Sequence, residues 1–164
     1  MEKGFLDLPL VLWYPFLAFI LLAIVILTMP KKKIKELFFE SLAWGLLASF
    51  IFSVVIDKLH LLDHVYHGPF SLLGSPIWFN LAWSPAIMLY LYNKPPMRKT
   101  IQFWIYLLSF SLMGAMLDQA FHGLGLIKYY HWSPLVRFFV GVIWFYGAAV
   151  VNEKYMDRQK RTTD

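Results

Sequence analysis

Residues Leu8–Met29 read LPLVLWYPFLAFILLAIVILTM, and the run is closed by Pro30 and the cluster Lys31-Lys32-Lys33-Ile34-Lys35. A hydrocarbon core of about 30 Å needs roughly 20 helical residues, and these 22 carry no charge. The run is too long for the apolar part of a cleavable signal peptide. It also lacks a basic segment before it and a small-residue cleavage site after it. A transmembrane helix is the expected structure.

Four further runs repeat the pattern, at about Leu37 to Ile56, Phe70 to Tyr92, Ile101 to Phe121 and Val136 to Val151. Basic or turn residues bound them, such as Asn93-Lys94-Pro95-Pro96 and Asn152-Glu153-Lys154, and the third is interrupted by Pro76 and Pro85. Each is continuous, without the period-2 alternation of a barrel strand, so helices are the spanning structure that satisfies the backbone in lipid. The expected fold is an all-α polytopic membrane protein: a five-helix transmembrane domain over 1–152 and a charged cytoplasmic tail over 153–164.

Composition agrees. Of 164 residues, 59% are hydrophobic and 15% charged, with a mean hydropathy of +0.57. A soluble domain of this size has too little interior to hide so much apolar surface. The net charge of +5 sits in short clusters between apolar runs, as in loops at an anionic membrane surface, and not in a nucleic-acid-binding face. The bilayer is the expected partner, with a membrane protein or a second copy of the chain beside it. The absence of cysteine excludes disulfides, thiolate metal sites and Cys nucleophiles.

Orientation follows from the basic residues. Lys31, Lys32, Lys33, Lys35, Lys94, Arg98, Lys99, Lys154, Arg158, Lys160 and Arg161 fall on one side, against Lys3, Lys58, Lys128 and Arg137 on the other. The richer side is expected to be cytoplasmic, with the amino terminus outside and the cell membrane as the location. Trp13, Tyr14, Tyr129, Tyr130 and Trp132, with Tyr90 and Tyr92 opposite, fit interfacial belts better than a ligand-stacking role.

All five histidines, His60, His64, His67, His122 and His131, fall on the outer side of this frame. If the second helix continues outward, Ser53, Asp57, His60, His64 and His67 stand at offsets of 0, 4, 7, 11 and 14, which form one stripe at about 100° per residue. Ser111, Asp118 and His122 share a face of the fourth helix, with Gly114 between them allowing a close neighbour. Asp57 and Asp118 come out at similar depth, near the outer edge of the hydrocarbon, where an ionisable group is costly unless paired. Such acids beside imidazoles suit general acid–base work by Asp57 or Asp118, or a divalent metal on His60, His64 and His122. Haem held between His60 or His64 and His122, or a quinone, is a further option. The bland alternative is solvated interfacial histidines and an Asp57–Lys58 pair. His60-x-x-x-His64 lacks the internal acid that makes the zinc-protease motif specific.

Ile56-Asp57, Tyr66-His67, Pro69 and Ile77-Trp78-Phe79 are echoed by Leu117-Asp118, Tyr130-His131, Pro134 and Ile143-Trp144-Phe145, at offsets of 61 to 66. This is a weak sign of parallel repeats, and chance similarity between aromatic-rich segments competes with it. Asn80 falls near mid-bilayer and is expected to bond a neighbouring helix or freed backbone. Glu36 and Glu40 suit the start of the second helix.

Thr28-Met29-Pro30-Lys31-Lys32-Lys33, Trp78-Phe79-Asn80-Leu81-Ala82-Trp83-Ser84-Pro85 and Gly125-Leu126-Ile127-Lys128-Tyr129-Tyr130-His131-Trp132 resemble an uncharacterised group of small multi-pass bacterial membrane proteins. The resemblance covers most of the chain from about residue 25 and implies a topology but no catalytic residues. Three functional classes stay open: a structural or accessory membrane component, an enzyme acting on a lipid or amphiphile at the outer leaflet, and a redox subunit.

Overall fold

The computed structural model describes residues 10–65 and 71–161. Among them are five helices: α1 (Trp13–Thr28), α2 (Lys31–Lys58), α3 (Ile77–Asn93), α4 (Thr100–Gly123) and α5 (Pro134–Arg161). Four short strands accompany them, β1 (Leu62–His64), β2 (Ser71–Leu72), β3 (Ser75–Pro76) and β4 (Ile127–Tyr129). Three segments, Lys31–Lys58, Thr100–Gly123 and Pro134–Met156, are long and apolar enough to cross a membrane, and α1 is apolar but shorter. Helix α5 runs without a break into the charged segment after Asn152, so that segment is helical as far as Arg161.

Outward-facing carbon supports a lipid surround. Ile101, Ile105, Leu112 and Met116 form an exposed stripe along α4, and Leu135, Phe139 and Ile143 do the same on α5. In water such continuous apolar faces would be covered by protein. Helix α3 differs. Nine of its residues are buried, including Phe79, Asn80, Pro85 and Tyr90, because α1, α2 and α5 pack around it. Being shielded by its neighbours, it tolerates a less apolar sequence.

The core divides between the two ends of the bundle. At one end Tyr14, Ile56, Phe79, Phe121 and Trp132 gather around the strands. At the other, Val25, Met29, Leu37, Met88, Phe103 and Phe145 gather near the lysine cluster. Starts of α1 and α3 thus meet ends of α2 and α4, so successive helices alternate in direction. Close approaches fix the crossings. A Cβ on Gly45 would lie 2.5 Å from Ser84 Cα, and one on Gly141 3.3 Å from Ser111 Cα. The turn around Gly45, Leu42–Leu47, widens to a π-helix, the usual accommodation of an extra residue in a helix. Within it Trp44 Nε1 donates to the Trp144 carbonyl at 3.1 Å.

The ends of α2 and α4 are built alike. Leu61 N–H reaches the Ile56 carbonyl and His60 N–H that of Asp57. Leu126 N–H likewise reaches Phe121 and Gly125 N–H reaches His122. Both are Schellman caps, with the left-handed position held by His60 (φ 52) in one and Gly125 (φ 75) in the other. The strands that follow pair antiparallel, Leu62 with Tyr129, Asp63 with Lys128 and His64 with Ile127. Val65 N–H donates to the Leu126 carbonyl and Tyr130 N–H to that of Leu61. A uniform shift of 65 residues maps one half of this ribbon onto the other. The two helix ends are thus related by a local two-fold axis.

Several expectations change. Helix α2 stops at Lys58, so Ser53, Asp57, His60 and His64 form no helical stripe. His67, with Tyr66 and Pro69, lies outside the described residues. The third run, expected from about Phe70, which lies outside the described residues, is not yet helical at residues 71–76. Leu73 and Gly74 both take positive φ, a type I′ turn that folds Ser71–Leu72 onto Ser75–Pro76, and α3 begins at Ile77. Asn80 accordingly sits in the first turn of α3 and not at its middle. The 65-residue shift also equates Asp118 with Ser53 and not with Asp57. Asp57 lies one residue before the end of α2, whereas Asp118 lies five before the end of α4.

Candidate functional site

The most concentrated chemistry lies between α2, α3, α4 and α5, just beneath the ribbon. Ser133 starts α5, its Oγ accepting from Val136 N–H at 3.2 Å, with Pro134 at the first helical position, as helix starts favour. That start places Arg137 in the first turn of α5, pointing back into the bundle. Its Nε lies 2.9 Å from Asp118 Oδ2, and both side chains are nearly buried, at 11% and 5% exposure. The guanidinium also lies over the Trp83 ring at 4.8 Å, a cation–π contact strengthened by the absence of water. Gly114, one turn before Asp118, faces the same pair, and a methyl there would sit in ordinary contact with Trp83 and Arg137, at 3.7 and 3.9 Å.

The second oxygen of Asp118 is placed differently. Asp118 Oδ1 and Trp132 Nε1 are both buried and make no well-formed hydrogen bond among the described residues, although the indole N–H lies close enough to act on the carboxylate. Both residues line a cavity of about 30 Å³, together with Ser49, Ser53, His64, Trp83 and Arg137. That volume accommodates about one water molecule.

A neutral network borders the same cavity. Ser53 Oγ donates to Asn80 Oδ1 at 3.0 Å, and Asn80 Nδ2 donates to Ser75 Oγ at 2.6 Å and to the Pro76 carbonyl at 3.1 Å. Asn80 therefore bonds both the neighbouring helix α2 and the backbone before α3. Tyr14 Oη, from α1, donates to the Leu126 carbonyl at 3.0 Å and ties α1 to the cap of α4.

The residues singled out from sequence take separate positions. Asp118 is central. Asp57 is half-buried on α2, with the hairpin turn against it: a Cβ on Gly74 would lie 3.0 Å from Asp57 Oδ2. His60 is exposed at its left-handed cap position. His64 is buried on β1, its ring centroid 5.3 Å from that of Phe79, and it lines the Asp118 cavity. His122 is exposed, stacked on Tyr129 at 4.2 Å, with Nδ1 2.9 Å from the Ile127 carbonyl. A carbonyl only accepts, so Nδ1 carries the proton. His131 is exposed too. Ser111, expected to share a face with Asp118 and His122, bonds its own Leu107 carbonyl at 2.8 Å.

His60, His64 and His122 therefore do not converge. Among the described residues no three His, Cys, Asp or Glu side chains group as metal ligands. Tyr129 Oη is buried beside the ribbon; burial, with a smaller contribution from the Asp118 charge, pushes its phenol up to about 12.

Arg137, Trp83 and Trp132 are the components that sequence reasoning missed. In a count of basic residues by side, Arg137 is only one of four expected on the outer side. A single Arg inside the start of an apolar helix, with a single Asp inside the end of the preceding one, was the available signal. No protein-family model, curated protein or solved structure matches the chain.

Proposed function

We propose that the chain is a five-span component of the cell membrane, with its amino terminus outside and its carboxyl terminus in the cytoplasm, acting as a structural or accessory partner of other membrane components. One observation carries this reading: Asp118 and Arg137, two charges buried between apolar helices, are matched to each other. A paired charge of this kind holds helices in register. The aromatic surroundings of Arg137 strengthen the same joint.

A second reading, acid–base chemistry on a lipid or amphiphile at the outer leaflet, draws on Asp118 Oδ1 facing a cavity with Trp132 and His64. The volume weighs against it. About 30 Å³ admits water but no lipid headgroup, so such an enzyme would have to open first.

Elemental analysis and an absorption spectrum of the purified protein test the accessory reading. A colourless protein without stoichiometric zinc or iron is expected. A Soret band would replace this reading with a redox role. Zinc or iron lost on His60→Ala or His64→Ala would replace it with a metal enzyme. Topology is testable because the chain has no cysteine. A single cysteine at Lys128 should react in intact cells with a membrane-impermeant maleimide, and one at Lys99 or Lys154 should not.

A further inference from the structure

We infer that the chain holds an anionic phospholipid in a groove between α1, α2 and α3 that runs from Trp78, near the ribbon, to Ile34, beside the lysine cluster. The groove is an apolar hollow of about 250 Å³. Its floor is buried carbon, Ala18 and Val25 of α1 with Met88 of α3. Its rim is the exposed side chains Phe19, Ile26 and Phe38. Such a slot in an apolar helix surface suits an acyl chain.

Charge decides which lipid. On α2 the residues Ile34, Phe38 and Leu42 line the groove. Taking Ile34 as zero and about 100° per residue, Phe38 falls near 40° and Leu42 near 80°. Lys31 then falls near 60°, inside the same sector one turn beyond the groove's end, and Lys35 near 100° at its border. Lys32 and Lys33 fall near 160° and 260°, on other faces, and Lys33 is engaged at 2.6 Å by Glu36. Lys31 and Lys35 are exposed, and neither forms an ion pair among the described residues. Lys31 therefore stands where the headgroup of a lipid lying in the groove would reach, and Lys35, which also lines the next hollow beside Glu36 and Glu40, stands at the border. A phosphatidylglycerol-type headgroup carries the complementary net charge, whereas phosphatidylcholine carries none. Each such lysine contributes an attraction that together favours the anionic lipid on the order of tenfold or more.

Native mass spectrometry of the full chain, released from nanodiscs containing equal phosphatidylglycerol and phosphatidylcholine with identical acyl chains, tests this. The expected result is retention of phosphatidylglycerol on the order of tenfold over phosphatidylcholine. The preference should be lost in Lys31→Gln/Lys35→Gln and kept in Lys32→Gln/Lys33→Gln. Filling the slot with Leu22→Trp should reduce retention of both lipids. Equal retention of the two lipids by the unaltered chain would overturn the proposal. So would equal loss of preference in the two lysine double variants, since a diffuse basic surface would then account for it.

Discussion

Arg137 Nε stands 2.9 Å from Asp118 Oδ2, joining the first turn of α5 to the last turns of α4 inside an apolar bundle. Removing one member of such a pair leaves the other charge buried and uncompensated, which costs about 3–5 kcal/mol. Asp118→Ala and Arg137→Ala should each lower stability by that order in detergent unfolding. The paired Asp118→Leu/Arg137→Met should cost much less than the sum. Additive losses would mean that the pair is not coupled.

Gly45 backs directly onto Ser84, its hypothetical Cβ 2.5 Å from backbone. Gly45→Ala should therefore destabilise by about 1–3 kcal/mol, the usual cost of overpacking. Gly123→Ala meets nothing within 4 Å and is expected to be harmless. Parallel thermal unfolding of the two variants measures the contrast.

Asn80 is the hub of the neutral network, holding Ser53, Ser75 and the Pro76 carbonyl. Asn80→Ala strands buried partners and should cost roughly 1–3 kcal/mol. Ser109→Ala, which removes only an exposed bond to its own helix, should change unfolding little.

His60 occupies a left-handed position that glycine takes in the matching cap of α4. A non-glycine residue there costs about 1–2 kcal/mol. His60→Gly should thus raise stability by about 1 kcal/mol, and His60→Ala should not. A His60 needed for a metal or haem would show the reverse.

The Tyr129 phenol, held up to about 12 from its ordinary value of 10.0, predicts an alkaline effect of definite sign. The folded protein keeps a proton that the unfolded chain releases, so this contribution is intact below pH 10 and is lost as pH rises through 12. Unfolding followed from pH 9 to 12 should show a shallower decline in Tyr129→Phe.

Apolar length and punctuation reveal helices well, since both act locally. The positions of α1 and α4 were therefore readable to within about five residues, whereas α2 begins six residues before the expected Leu37 and α5 continues ten past the expected Val151. The reversal of the chain after α2 was not legible, because Lys58-Leu59-His60 carries no glycine or proline and the cap rests on a histidine forced into left-handed geometry. The hairpin before α3 escaped notice because Leu73-Gly74 is an unusual type I′ pair within an apolar stretch. Among candidate site residues, Asp118 stood out as a buried acid. Arg137 did not, because counting basic residues by side treats a snorkelling Arg and an inward-facing one alike. The caps and paired strands relate the ends of α2 and α4 by a shift of 65 that the internal echo did not identify. Sequence similarity alone aligned the two aspartates one turn out of phase.

The two-fold ribbon carries a consequence for how the chain matures. β4 begins 65 residues after β1 (127 − 62), so at ordinary translation speeds of roughly 5–20 residues per second β1 waits about 3–13 s for its partner. Throughout that interval an open strand edge stands at the extracytoplasmic face proposed for it, where unpaired edges invite wrong neighbours. At three residues, Leu62–His64, it offers little purchase for a foreign strand. The brevity of β1 is thus a safeguard during biogenesis, and closure of the ribbon marks the moment at which the two halves of the protein become one.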